Sequence, residues 1–193
     1  MKTHTLKTLV ILVVSAIVLF TTGCKKEENP VNPGDGGNTQ TGAGTMSCKV
    51  DGEKWSATQI PSSPYPAAFA NLETRSNYTL LTITGSQITG TSSASTIYLS
   101  LLNISSTGEY NLGAMTSTSG NQGIATMGYS DGKGYGTTGE TEYIGKVTIT
   151  KFDQTNKIVS GTFYFTAKGI TGGATGKKVV TEGKFDVKWG VFN

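Results

Sequence analysis

Alternation of apolar and polar residues constrains the fold of this chain more than any other feature. Residues 145–168, GKVTITKFDQTNKIVSGTFYFTAK, place Val147 and Ile149 on one face of a strand and Phe163 on the matching face of a returning strand. A period of two residues is typical of a strand with one buried and one solvated face. Residues 153–156, between the two runs, are side chains that favour turns. The segment therefore predicts an antiparallel hairpin.

A second hairpin is predicted at residues 46–57, MSCKVDGEKWSA. The dipeptide Asp51-Gly52 tolerates the positive φ angles of a two-residue type I′ turn. Such a turn places Cys48 opposite Trp55 on the same face of the hairpin. We expect Cys48 to be a small buried side chain and not a nucleophile.

The C-terminal residues 181–192, TEGKFDVKWGVF, also alternate. Their charged positions, predicted to face solvent, are Lys184, Asp186 and Lys188. With the strand-like runs between residues 77 and 130, the chain contains about eight or nine strands. Only residues 64–72, PYPAAFANL, leave room for a helical turn or two. The sequence predicts an all-β fold, either an antiparallel sandwich or a partly closed barrel.

Residues 1–23 are predicted to be a signal peptide. Lys2 and Lys7 precede an apolar run from Leu9 to Phe20, as a basic n-region precedes an h-region. The run has 12 residues, fewer than the roughly 20 that a membrane-spanning helix needs. This length disfavours the alternative of a single transmembrane anchor.

The segment TTGCKKEENP, residues 21–30, resembles a bacterial lipobox, although Thr21 stands where lipoboxes usually carry leucine. In such a motif Cys24 is acylated, as with palmitate, and becomes the first mature residue. Several acyl chains would hold the protein stably at a membrane, whereas one chain binds only marginally. The charged residues that follow resemble the surface-export signal of Bacteroidetes lipoproteins; they are Lys25, Lys26, Glu27 and Glu28. The alternative is that these charges only solvate a linker. We expect an outer-membrane lipoprotein that faces the cell exterior.

Residues 24–45 are predicted to be a flexible tether. Between Asn29 and Thr45, Val31 is the one aliphatic side chain larger than alanine, so the segment cannot bury enough surface to fold. A glycine-rich coil of about 22 residues has a root-mean-square reach of roughly 25 Å. Residues 46–193 then form the all-β domain.

The composition argues against several kinds of chemistry. The one histidine, His4, lies in the predicted signal peptide, so the mature chain has none to activate a nucleophile or to bind zinc. Without Lys2 and Lys7, 14 basic and 13 acidic residues leave a net charge of +1, which gives no basic footprint for nucleic acid. We expect a monomer with no cofactor and no catalytic activity.

Two sites based on carboxylates stay open as weaker hypotheses. Glu140 and Glu142 would share one face of a strand at roughly 7 Å, near the separation in inverting glycosidases. Two glutamates on a solvated strand are, however, the ordinary finding. Asp131, in the glycine-rich residues 128–140, could bind calcium, but the loop lacks the acidic spacing of a calcium site.

Three tyrosines are candidate ligand contacts. Tyr65, Tyr129 and Tyr135 lie in segments predicted to be loops. Exposed rings on a β scaffold can stack on sugars or contact protein partners. The alternative is that these rings fold back and cover the open ends of the core. If the domain binds a ligand, we expect a carbohydrate or a protein.

Four segments, in this order, resemble a family of Bacteroidetes lipoproteins whose domain has no assigned function. They are CKVDGEKWSA, STGEYNLG, GKVTITKFDQTNKIVSGTFYFTA and VVTEGKFDVKW. The resemblance implies an all-β lipoprotein of the cell envelope, with no catalytic residues to carry over. We therefore expect a membrane-anchored, non-catalytic binding module. The alternatives are a structural envelope lipoprotein without a small ligand and, more remotely, a carboxylate-dependent hydrolase.

Overall fold

The computed structural model describes residues 39–61, 63–90, 93–113, 122–139 and 144–190. In these ranges all the regular secondary structure is β-strand, which confirms the predicted all-β class. The strands are β1 (Thr45–Val50), β2 (Glu53–Ser56), β3 (Ala68–Thr74), β4 (Thr79–Thr89), β5 (Ser93–Leu102), β6 (Gly108–Leu112), β7 (Gln122–Tyr129), β8 (Gly134–Gly136), β9 (Gly145–Asp153), β10 (Ile158–Thr171) and β11 (Lys177–Lys188).

The strands form one sheet in the order β2-β1-β11-β10-β9-β6-β7-β5-β4-β3. Neighbouring strands in this order are antiparallel, apart from β6 and β7, which are parallel. The short strand β8 pairs with both β7 and β10. All these strands bury one face against a single apolar core, whose largest fully buried side chains are Tyr110, Phe165 and Phe185.

The two edges of the sheet approach each other. The Ala68 amide at the start of β3 donates a hydrogen bond to the Gly44 carbonyl, just before β1, at 3.0 Å. Ala70 in β3 also forms a β-bridge with Trp189, just after β11. The sheet is therefore a partly closed barrel, one of the two architectures that the sequence left open.

Both predicted hairpins are confirmed. β1 and β2 are joined by Asp51 (φ 52°) and Gly52 (φ 88°), the positive angles of a type I′ turn, and Cys48 lies opposite Trp55. The hairpin of β9 and β10 turns at residues 153–157, where the Asp153 carboxylate accepts a hydrogen bond from the Asn156 amide at 2.9 Å. Local turn chemistry therefore sets the register of both pairs.

Two strands lie where the sequence did not predict them. Residues 64–72, the one place where a helical turn was allowed, contain the start of β3 instead. The Ala68 and Ala70 side chains of β3 are fully buried against the core, and β4 pairs along the whole strand. Residues 134–136, predicted to be loop, form β8 because β7 and β10 supply hydrogen-bonding partners on both sides.

The prediction that Asp186 faces solvent is wrong, because its side chain is only 1% exposed. Residues 39–43 cover its carboxylate. The hydrogen bonds come from the amides of Thr41 (3.0 Å), Gly42 (2.8 Å) and Ala43 (3.2 Å) and from the Ser160 hydroxyl (2.7 Å). We call residues 39–44 the strap. The strap lies on the sheet, although these residues fall in the segment predicted to be a flexible tether.

The barrel has two distinct ends. β1 and β11 run antiparallel, with Thr45 opposite Asp186 and Val50 opposite Val180. We call the end where β1 begins the strap end and the end where β1 finishes the cleft end.

Candidate functional site

A cleft of about 430 Å³ opens at the cleft end of the barrel. This volume falls within the range of roughly 300–1,000 Å³ that is usual for ligand sites. The β1–β2 turn, the adjoining ends of β4 and β5, the end of β7 and the start of β11 surround it. The lining side chains that matter most here are Trp55, Gln87, Ser95, Tyr129, Asp131 and Lys178. We call this the Tyr129 cleft.

Trp55 forms much of the floor of the Tyr129 cleft. Its indole is 3% exposed, and Nε1 donates a hydrogen bond of 2.8 Å to the Ser95 hydroxyl, which is itself buried. Because both groups lie away from water, each supplies the partner that the other needs. Met127, 2% exposed, completes the apolar part of the floor. The base of the cleft therefore has packed apolar side chains and a buried polar pair that is satisfied internally.

Tyr129 and Tyr135 lie in contact at one side of the cleft. Their ring centroids are 5.9 Å apart and the rings meet edge to face at 76°, a favourable aromatic arrangement. Tyr135 lies in β8 and is buried, whereas Tyr129 ends β7, is half-buried and lines the cleft. Burial raises the pKa of Tyr129, an effect that nearby Lys178 partly opposes. The Tyr129 phenol is therefore neutral at physiological pH.

Three of the charged groups at the rim, Asp51, Asp131 and Lys178, are held in ion pairs. Lys178 Nζ lies 2.7 Å from the Asp51 carboxylate and 5.7 Å from the centroid of the Tyr135 ring. The hydrogen bond from Lys178, and then the one from the Val179 amide, lowers the pKa of Asp51. Asp131 pairs with Lys133 at 2.8 Å. Glu53 and Lys54 add one exposed charge of each sign to the same rim.

The structure brings two of the three predicted tyrosines together. Tyr129 lines the cleft, and Tyr135 supports it from the core. Tyr65 is not among the lining residues; it is 46% exposed and stacks on Phe69 with centroids 5.0 Å apart. Of the two expected roles for these rings, Tyr135 covers the core and Tyr129 has one side available to a ligand.

The other candidate residues have varied outcomes. Cys48 is 6% exposed, so the prediction that its side chain is buried is confirmed, and this burial raises the pKa of the thiol to about 12. The Asp131 carboxylate is held by the amide and ammonium groups of Lys133. Cys24, residues 25–28, and the pair Glu140 and Glu142 lie outside the described residues.

Two features are absent from the described residues. Those ranges contain no group of three or more His, Cys, Asp or Glu side chains arranged to hold a metal ion. Across the same ranges, no helix has the length and apolar character needed to cross a membrane.

Sequence reasoning did not identify Gln87, Ser95 or Lys178 as parts of a site. Gln87 and Ser95 lie on the consecutive strands β4 and β5, but Lys178 lies on β11, more than 80 residues further along the chain. The one local signal was the Asp51-Gly52 turn, which marks one wall of the cleft but says nothing about what faces it.

A family model described as a domain of unknown function, DUF6252, matches residues 43–192. The match covers 150 of the 193 residues. The chain belongs to the DUF6252 family. The DUF6252 domain includes every described strand, the end of the strap and the whole Tyr129 cleft. No curated protein and no solved structure matches the chain.

Proposed function

We propose that this DUF6252 protein is a lipid-anchored binding module of the bacterial outer membrane, displayed toward the cell exterior. Cys24 carries the lipid, residues 25–28 direct export, and the Tyr129 cleft holds the ligand. The module performs no chemistry on what it binds.

The observation that carries the proposal is the Tyr129 cleft. A concave site of ligand size, with an apolar floor and several polar groups on its walls, is the usual form of a small-molecule site. The floor is held in place by the bond between Trp55 and Ser95, so the site requires little ordering when a ligand enters.

The chemistry of the walls favours a neutral, hydroxyl-rich ligand, and we propose a carbohydrate. Asp51 and Asp131 are each paired with a lysine, and the exposed Glu53 and Lys54 bring opposite charges to the same rim. An ionic ligand that contacted Asp51, Asp131 or Lys178 would have to disrupt an ion pair. Gln87 can both donate and accept hydrogen bonds, and Tyr129 offers a ring against which a sugar can lie.

The same pairing argues for binding without catalysis. A general acid or base needs a carboxylate whose pKa lies near the working pH. The lysine contact instead lowers the pKa of Asp51, and likewise that of Asp131. Both groups stay ionised at neutral pH and are poorly suited to move protons.

Binding is tested with the mature chain, carrying Cys24→Ser, on an array of neutral oligosaccharides. The Gln87→Ala and Tyr129→Ala variants should lose glycan binding, while Tyr65→Ala, which changes a ring outside the cleft, should keep it. Equal binding by all four proteins would place the site elsewhere. If the folded chain binds no saccharide, the proposal of a carbohydrate ligand is wrong. If a protein binds instead and needs the same cleft residues, the ligand is a protein.

The anchor is tested separately in cells. Labelling with a palmitate analogue should mark the wild-type chain and not Cys24→Ala; a variant that stays labelled would reject Cys24 as the lipid site. Protease added to whole cells should remove the domain. Replacement of residues 25–28 by neutral residues should protect it, and protection of the wild-type chain would refute display on the exterior.

A further inference from the structure

The strap is bound to the barrel through one buried carboxylate. Three consecutive amides, those of Thr41, Gly42 and Ala43, donate to Asp186 at 2.8–3.2 Å, and the hydroxyls of Thr39 and Thr41 also donate to it. Hydrogen bonds to an ionised acceptor are the stronger kind. The first residues of the described chain are therefore held firmly at the strap end.

Backbone contacts extend this attachment across the seam of the barrel. The Gly44 amide donates to the Asp186 carbonyl at 2.9 Å, and the Gly44 carbonyl accepts from the Ala68 amide of β3. Gly42 has φ +76°, and a Cβ at this position would lie 2.6 Å from Lys188 Cγ, so glycine is the residue that fits. The strap therefore has one defined seat, between β11 and β3.

The strap and the Tyr129 cleft lie at opposite ends of the same strand. β11 passes from Lys178, in the wall of the cleft, to Asp186, under the strap. These residues are eight positions apart, or roughly 25 Å at about 3.3 Å per residue. The neighbouring strand β1 also joins the two ends, because it begins beside the strap at Thr45 and reaches the cleft at Val50.

We propose that the strap makes the N-terminal segment leave the domain at the end opposite the Tyr129 cleft, so that the anchored protein presents the cleft away from its own membrane. The ligand is then a solute or a component of another surface, and not a lipid or glycolipid of the membrane that carries the anchor. This inference rests on the proposed function, which assigns the anchor to Cys24 and the ligand to the cleft.

The point of attachment favours one average orientation of the domain above the membrane. Cys24 precedes Thr39 by 15 residues, and the tether that the sequence predicts would have a root-mean-square reach of roughly 20 Å over that length. This reach is shorter than the roughly 25 Å between the two ends of β11. The strap end therefore stays near the membrane more of the time than the cleft end does.

The test measures the height of each end above a membrane. The mature chain from residue 25, with an N-terminal polyhistidine tag, is bound to vesicles that carry nickel-chelating lipid and an acceptor dye. One variant, Lys54→Cys, takes a donor dye at the cleft end, and its matched partner, Gln154→Cys, takes the same dye at the strap end. Both positions are exposed. Cys48 does not compete for the dye, because it is buried and burial raises its pKa to about 12.

Energy transfer to the membrane should be about twofold or more stronger from position 154 than from position 54, given the roughly 25 Å between the ends. Equal transfer, or stronger transfer from position 54, would overturn the inference. The tag replaces the lipid, so the result does not depend on acylation of Cys24. Failure of the glycan array or of the labelling experiment would refute the proposed function and leave this measurement standing.

Discussion

The hydrogen bond between Trp55 and Ser95 offers a sharp test of how the cleft is built. Its length is 2.8 Å, and the two side chains are 3% and 8% exposed. Ser95→Ala would leave the indole N–H buried without its partner. An unsatisfied buried donor costs about 1–3 kcal/mol, so we expect Ser95→Ala to lower the free energy of unfolding by that amount.

A second background isolates the hydrogen bond from packing. Trp55→Phe removes the donor and some ring volume, at a cost of about 1–3 kcal/mol. In that background the Ser95 hydroxyl has already lost the indole donor, so Ser95→Ala should cost close to nothing more. The double-mutant cycle should therefore give a coupling energy of about 1–3 kcal/mol, within the range observed for residues in contact.

The assay is urea unfolding followed by far-ultraviolet circular dichroism, with linear extrapolation to water. Ser93→Ala is the matched control, because Ser93 lies two residues earlier on β5 and is exposed. It should change the free energy of unfolding by no more than about 0.5 kcal/mol. If Ser95→Ala costs the same with Trp55 and with Phe at position 55, the hydrogen bond does not stabilise the floor and the argument for a pre-formed site fails.

Three further predictions concern the barrel itself. Gly161→Ala should lower the free energy of unfolding by about 2 kcal/mol or more, because its Cβ would lie 2.2 Å from the Thr148 carbonyl oxygen. Gly128→Ala is the control and should be nearly neutral, because no atom lies within 4 Å of its Cβ. Thermal unfolding of both variants tests this, and equal melting temperatures would contradict it. Burial alone raises the pKa of Asp186, but the hydrogen bonds from Thr39, Ser160 and the strap amides outweigh it and hold the pKa below its ordinary value. Folding therefore favours the ionised form, so Asp186 stabilises the protein above about pH 4, and that stability is lost as the pH falls through the lower folded pKa. Asp186→Asn should melt at a lower temperature at pH 7 and show a flatter acid dependence, and an unchanged acid profile would refute the role of the strap. The buried Cys48 thiol should not react with a thiol reagent at pH 8 in the folded protein and should react fully in denaturant; rapid labelling of the native chain would count against its burial.

Most of the strands could be predicted because their signal is local. Burial of one strand face requires apolar residues two positions apart, and residues 145–168 show this period clearly. The Asp51-Gly52 turn then sets the register of its hairpin, which is why the pairing of Cys48 with Trp55 followed from the sequence.

β8 lacked any such signal. Three residues, two of them glycine, cannot show an alternation. β8 is a strand because β7 and β10 offer unpaired backbone groups on both sides of it, and that arrangement exists only after the barrel has formed.

Asp186 shows the same limit for a single side chain. Its position in an alternating strand predicted exposure, and within β11 that inference was sound. The amide of Gly42, 144 residues away in the chain, removes it from water. Whether the outer face of a strand is wet depends on what else lies on it, and a period of two residues carries no information about that.

The sequence by itself determined the class of this DUF6252 protein, its hairpins and the burial of Cys48, because each depends on residues within a few positions of one another. It also marked Tyr129 as a candidate. Only the tertiary structure decided that Tyr129 meets Trp55, Ser95 and Lys178 in one cleft. The fold of the sheet brings the four strands that carry these residues, β2, β5, β7 and β11, to the same end, and the seat of the strap lies at the other end. Long-range pairing sets both positions, and local pattern sets neither.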